Sequence, residues 1–160
     1  MNIFAVDTCP EKSARALPDK LIVKMPLESA QMLCTAHRLL SPEKYCTQFD
    51  IYKPAYVNHP CTIWARQTHE NYRWLLLHFI TLCEEYYFRY GKIHLSWTKL
   101  WDGLKTFPMM IDEGELTPFA QAMPDQYKSD NHIWSYRKYM IGEKHYAKWE
   151  KGRSKPNWWH

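Results

Sequence analysis

Between Asp19 and Leu40 the chain can form a helix with only one narrow side for water. At about 100° per residue, Lys20, Lys24, Glu28, Gln31, Thr35 and Arg38 fall within an arc of roughly 80°. The rest of the circumference is apolar, carrying Leu21, Ile22, Met25, Leu27, Ala30, Met32, Leu33, Ala36, Leu39 and Leu40. A helix of this kind has to be surrounded by other elements, so the fold must be built around it. Pro26 lies inside the stretch, where it removes the bond to the Ile22 carbonyl and costs roughly 3 kcal/mol unless the helix accommodates it. Its place just before Glu28 points to a bend beside a site.

The other periodic segments are helical too. Asp7-Thr8-Cys9-Pro10 reads as a helix start, and a short helix runs from there to about Leu17. From Cys61 to Tyr90 one long helical pattern is stopped by Gly91. Shorter helices are expected from Leu95 to Thr106 and from about Asn131 to Lys151, the last ending at Gly152. Residues 41–60 and 107–130 read as loops. Asn2 to Val6 is the only strand candidate, and it has no partner. The expected fold is therefore all-α: a compact single helical domain over 1–160 with long loops, its tail 152–160 packed on the domain or lying near nucleic acid.

Composition narrows the function. No apolar run approaches the roughly 20 residues that span a bilayer, and MNIFAVDTCPEK lacks the basic leader of a secretion signal. A cytoplasmic protein without membrane association is expected, and as a monomer. The five cysteines are odd in number and form no CxxC pair, so buried free thiols are expected rather than disulfides or a metal site. No cofactor is called for. No P-loop, dinucleotide fingerprint, Gly-x-Ser-x-Gly or His-Glu-x-x-His occurs, which argues against triphosphate hydrolysis, dehydrogenase and zinc-protease chemistry. A net charge of +4 permits a phosphate-contacting face without establishing one. The 8 Trp and 11 Tyr can fill a core, and such rings also stack on bases or wedge into a duplex.

Glu28 sits in the middle of the polar stripe, with Lys24 and Lys20 one and two turns before it. Two readings are open: a solvated face with an i,i+4 ion pair, or a carboxylate at the floor of a cationic groove. His59, just before Pro60, is either a structural hydrogen bonder or a catalytic or phosphate contact. Arg66 and Arg73, seven residues apart and so near one helical face, meet either phosphate or water. Trp158 and Trp159 are costly to leave in water beside a free terminus. They pack onto the domain, contact nucleic acid, or do both.

Three short segments carry a resemblance. Asp19-Lys20-Leu21, with Leu27-Glu28 following, resembles the early helix of the pyrimidine-dimer DNA glycosylases, in which a glutamate comes nine positions after the Asp that begins the helix. Tyr56-Val57-Asn58-His59-Pro60 is similar to the Tyr-x-x-His-Pro element of that family's bacterial members, which also precedes a long helix. Lys155-Pro156-Asn157-Trp158-Trp159 is similar to the Lys-Pro-x-Trp-Tyr tail with which the phage members approach DNA.

The resemblance implies an all-α glycosylase coupled to strand cleavage on double-stranded DNA, with Glu28 as the active-site acid. It also implies that the nucleophile is the chain's own α-amino group, which attacks the sugar C1′, expels the base and forms a Schiff base from which the 3′ phosphate is eliminated. An α-amine titrates near 7.7–8.0 in model peptides, so a useful fraction is neutral at pH 7, whereas a lysine near 10.4 would need desolvation first. The phage members expose a threonine after losing the initiator methionine. Here residue 2 is Asn2, large enough that Met1 is retained. The amine is then that of Met1, with Asn2 after unusual processing, or water without a lyase step, as the alternatives. Leu21 stands where the phage members have a histidine, which leaves the lesion open. Lys20, Lys24, His59, Arg66, Arg73, Trp158 and Trp159 are expected to position the DNA. Two rivals stand beside this reading: the same fold acting on hypermodified bases, and a non-catalytic nucleic-acid- or protein-binding module.

Overall fold

The computed structural model describes residues 1–160, and its regular structure is entirely helical. Seven α-helices follow in order: α1 (Pro10–Arg15), α2 (Asp19–Leu40), α3 (Glu43–Gln48), α4 (Pro60–Ala65), α5 (His69–Tyr90), α6 (Leu95–Leu104) and α7 (His132–Glu143). A single 3-10 turn at Asp125–Tyr127 interrupts the long connection before α7. None of these helices is long and apolar enough to cross a membrane.

The central position expected of α2 is what the chain adopts. α2 packs on α5 along its length, with α4 and α6 on its flanks and α1 lying across α5. One continuous cluster of buried side chains joins these elements, from Ile3 near the start to Met140 in α7. Into it α2 sends Leu21, Ile22, Met25, Ala30, Met32, Leu33 and Ala36, and the helix runs unbroken through a buried Pro26. Leu27 and Leu39, counted with the apolar side, are instead exposed.

Several boundaries differ from the expectation, each for a local reason. Asn2 to Val6 forms no strand. It is buried, and its backbone is satisfied by side chains instead of a ladder. The loop at 41–60 contains α3, which Pro42 precedes at the capping position. The long pattern at 61–90 is two helices. Arg66 closes α4, and Thr68 opens α5 by accepting a hydrogen bond from Asn71 N at 3.1 Å. α7 stops at Glu143 rather than Lys151, because the following residues leave the helix to dock on α1 and α2: Asp19 N donates to the Lys148 carbonyl and Trp149 Nε1 to that of Ala16. Gly91 does end α5, in the left-handed conformation that glycine adopts without penalty. All five cysteines are free, four of them buried and Cys9 half-buried.

A buried ionic cluster fixes the start of α2 and the tail. Arg89 of α5 is fully enclosed. It donates to Glu85 Oε2 (2.9 Å), Asp19 Oδ1 (3.0 Å) and the carbonyls of Leu17 (2.8 Å) and Arg15 (2.9 Å). The second Asp19 oxygen accepts from Glu150 N at 2.8 Å, and Arg153 grips Glu85 from the other side at 2.6 Å. Every charge in the cluster has a partner and most polar atoms a hydrogen bond, the condition under which buried ions are tolerated.

Candidate active site

The polar stripe of α2 leads to the beginning of the chain. Glu28 is largely buried, its side chain 11% exposed, and it faces two cations: Lys24 Nζ lies 3.1 Å from Oε1 and the Met1 α-amino nitrogen 3.9 Å from Oε2. The i,i+4 pair of the first reading is present, with Lys24 in solvent, and the carboxylate it joins is largely buried beside a second cation. Met1 inserts its side chain, only 1% exposed, against the core, while the residue as a whole is half-buried. Its exposed part is therefore the main-chain end that carries the amine.

The five residues after Met1 hold that amine in place. Asn2 Oδ1 accepts from Ile3 N at 2.7 Å and Phe4 N at 2.9 Å, and Asn2 Nδ2 donates to the Ala122 carbonyl at 2.9 Å. Ser13 Oγ donates to the Phe4 carbonyl and accepts from Val6 N, both at 3.1 Å, and Arg137 Nε caps the Val6 carbonyl at 2.8 Å. Phe4 has φ 42°, a left-handed backbone that a bulky residue adopts only when its surroundings impose it. Asn2 thus acts as a clamp on the chain start.

The ionic surroundings separate the possible nucleophiles. Hydrogen bonding to Glu28 and its charge hold the Lys24 ammonium above its ordinary value, with Tyr146 and Tyr139 adding to the effect, so Lys24 stays protonated. Burial pushes the nearby Cys61 thiol up to about 11. His59 is pushed below the usual imidazole range, first by burial and then by the positive chain start, while Glu28 opposes the shift. Its Nδ1 accepts from Cys61 N at 3.1 Å, capping α4 and leaving the neutral ring its proton on Nε2. His59 therefore has the structural role foreseen for it and also lies within electrostatic reach of the amine and Glu28.

The remaining candidates spread outward. Lys20 is exposed and lies over the Tyr146 ring at 5.3 Å. Arg66 spends one donor on the Val57 carbonyl at 2.8 Å. Arg73 pairs with Glu70 at 3.3 Å and covers the Phe107 ring. The break at 66–68 means that Arg66 and Arg73 do not share one helical face. Phe107 packs on Tyr72, whose hydroxyl meets His37, nine residues and so roughly 13 Å along α2 from Glu28. These contacts associate Arg73 with the His37 end of α2. Trp158 and Trp159 pack on the domain edge to face with each other, Trp159 against Trp149 and Trp158 under Arg137. No three His, Cys, Asp or Glu side chains converge in a metal-binding group.

Sequence reasoning missed an aromatic and basic cluster beside the chain start, whose Tyr139 also lies close enough to Lys24 to raise its ammonium. Tyr139 stacks on Phe4, and Lys144 lies over both rings with its Nζ 3.3 Å from the Tyr139 hydroxyl. Tyr139 and Lys144 are more than a hundred positions from Glu28, and nothing local in the sequence links them to it.

A model of the pyrimidine dimer DNA glycosylase family matches residues 1–99. The chain belongs to this family. The match takes in Met1, Glu28 and His59 and ends within α6, so Tyr139, Lys144 and the tail lie outside it. No curated protein and no solved structure matches the chain. Membership makes DNA the substrate and glycosylase chemistry its reaction class.

Proposed function

We propose that this protein is a bifunctional glycosylase and abasic-site lyase that excises a damaged pyrimidine from double-stranded DNA, acting as a monomer. The observation that carries the reading is the 3.9 Å approach of a partly exposed α-amine to a largely buried carboxylate. The Met1 nitrogen, once neutral, attacks the sugar C1′ as the C1′–N bond breaks and its electron pair leaves with the base. Glu28 stabilises the positive charge developing on the sugar and takes the proton released by the attacking amine. Glu28 passes that proton to O4′ as the sugar ring opens, which gives the Schiff base and leaves the carboxylate ionised again. Loss of a C2′ proton then expels the 3′ phosphate, with Glu28 as the nearest base.

The neighbours support the assignment of roles. Lys24 is kept protonated by Glu28 and Cys61 is kept as a thiol by burial, so neither competes with the amine. Lys24 and Lys20, exposed along the same stripe, meet the phosphates on either side of the reacting nucleotide. Trp158 and Trp159, packed beside Arg137, border the duplex, and Arg66 steadies the loop that carries His59.

The test is Glu28→Gln assayed on ultraviolet-irradiated duplex DNA, with duplexes bearing other modified pyrimidines in parallel. Turnover should fall by about 10²- to 10⁴-fold, the usual scale for a positioned acid–base group. Undiminished turnover would end the proposal.

A further inference from the structure

One aromatic ring near the site is unexplained by folding. Tyr56 is 67% exposed, the most exposed aromatic side chain of the chain, and its ring takes part in no hydrogen bond, aromatic pair or cation–π contact. Its backbone is also strained, with φ 48° at a residue whose side chain disfavours the left-handed region. A bulky ring held largely in water on a strained backbone costs stability twice, and no hydrogen bond or ring contact offsets it.

The loop around it is nevertheless rigid. Just before Tyr56, Ala55 N donates to the buried Thr35 Oγ at 3.0 Å, tying the loop to the same α2 stripe that carries Glu28 and Gln31. After it, the Tyr56 carbonyl accepts from His59 N at 2.9 Å, and the Val57 carbonyl is held by Arg66. His59, three residues on, feels the charges of both Glu28 and the chain start. Tyr56 is therefore pinned between two anchors, three residues from a histidine that senses Glu28 and the chain start, with its ring projecting outward. An immobilised ring loses little further entropy on stacking, and any base offers it a π-face.

We propose that Tyr56 is a DNA-contacting residue whose ring stacks on a base beside the reacting nucleotide and keeps the gap open while that nucleotide lies against Glu28 and the Met1 amine. The inference rests on the glycosylase–lyase reading above and adds to it the contact that holds the duplex in the reactive form. An opened duplex needs such a contact, whereas an abasic site in a single strand has no stack to hold open.

The experiment compares cleavage of an abasic site in duplex and in single-stranded DNA by the full chain and by Tyr56→Gly, Tyr56→Ala and Tyr56→Phe. A 2-aminopurine next to the site reports unstacking. Tyr56→Gly and Tyr56→Ala should lower the duplex-to-single-strand rate ratio by about 5- to 150-fold, the range of base–aromatic stacking, and abolish the fluorescence rise. Tyr56→Phe should keep both. Glycine also accepts the left-handed backbone, so Tyr56→Gly should unfold no earlier than the parent. A damaged site would slow both substrates together and leave the ratio fixed. A ratio unchanged in Tyr56→Gly, or a loss in Tyr56→Phe equal to that in Tyr56→Ala, would overturn the stacking role. If the parent chain cleaves neither substrate, the lyase reading fails instead.

Discussion

Replacing Asn2 with leucine tests how the start of the chain is held. The substitution keeps a side chain of similar size, too large to invite removal of Met1, and deletes every polar contact of the asparagine. Two main-chain donors, Ile3 N and Phe4 N, and one acceptor, the Ala122 carbonyl, lose their partner in a region where Asn2 is 7% exposed. Each orphaned group costs about 1–3 kcal/mol, and burial of the leucine returns about 2 kcal/mol. Relaxation of the left-handed Phe4 backbone returns about 1 kcal/mol more. The net loss is about 3 kcal/mol, which at a urea dependence of about 2 kcal/mol per molar moves the midpoint down by roughly 1.5 M. The amine would no longer be held opposite Glu28, and misplacement by about 1 Å costs on the order of 100-fold in rate. Asn2→Leu should therefore show both a lower urea midpoint and about 100-fold slower single-turnover Schiff-base formation on abasic DNA. A midpoint within about 0.5 M of the parent, together with parental trapping, would refute the clamp.

Acid should unfold the protein through two histidines. His37, bonded to Ser41 and Tyr72, and His78, whose Nδ1 donates to the Pro10 carbonyl while its Nε2 has no partner, are both lowered by burial to about 4. The unfolded chain takes up protons near 6.5 and the folded one only near 4, so stability is complete above pH 6.5 and falls as the pH drops through that window. The loss approaches roughly 3 kcal/mol per histidine. Denaturant titrations at pH 7.5 and pH 4.5 check this, and equal midpoints would contradict it. Arg89→Ala should cost about 3–5 kcal/mol, since it strands Asp19 and half-strands Glu85 in the interior. A calorimetric melting point lowered by about 10 °C or more is expected, whereas a shift of a degree or two would mean that water replaces the guanidinium.

The legible part of the site was the part written in helical periodicity. The stripe on α2 set Glu28 and Lys24 side by side, because the spacing of four is a local property. The spacing of Asp19 and Glu28 pointed to the right helix but not to the work of Asp19, whose partners Arg89 and Glu150 come from segments 70 and 131 residues away. The α4–α5 break escaped because apolar residues keep their period across it. Thr68 with Glu70 was its only signal, a capping residue ahead of an acidic first turn. The meeting of Phe4 with Tyr139 and Lys144 depends on tertiary packing, for which one sequence carries no periodic trace.

The most direct measurement is to trap the protein on abasic duplex DNA with borohydride, digest it with trypsin and locate the adduct by mass. The mechanism requires the reduced sugar on the α-nitrogen of Met1, in the peptide that ends at Lys12. An adduct on Lys20 or Lys24, or efficient cleavage with nothing trapped, would contradict it.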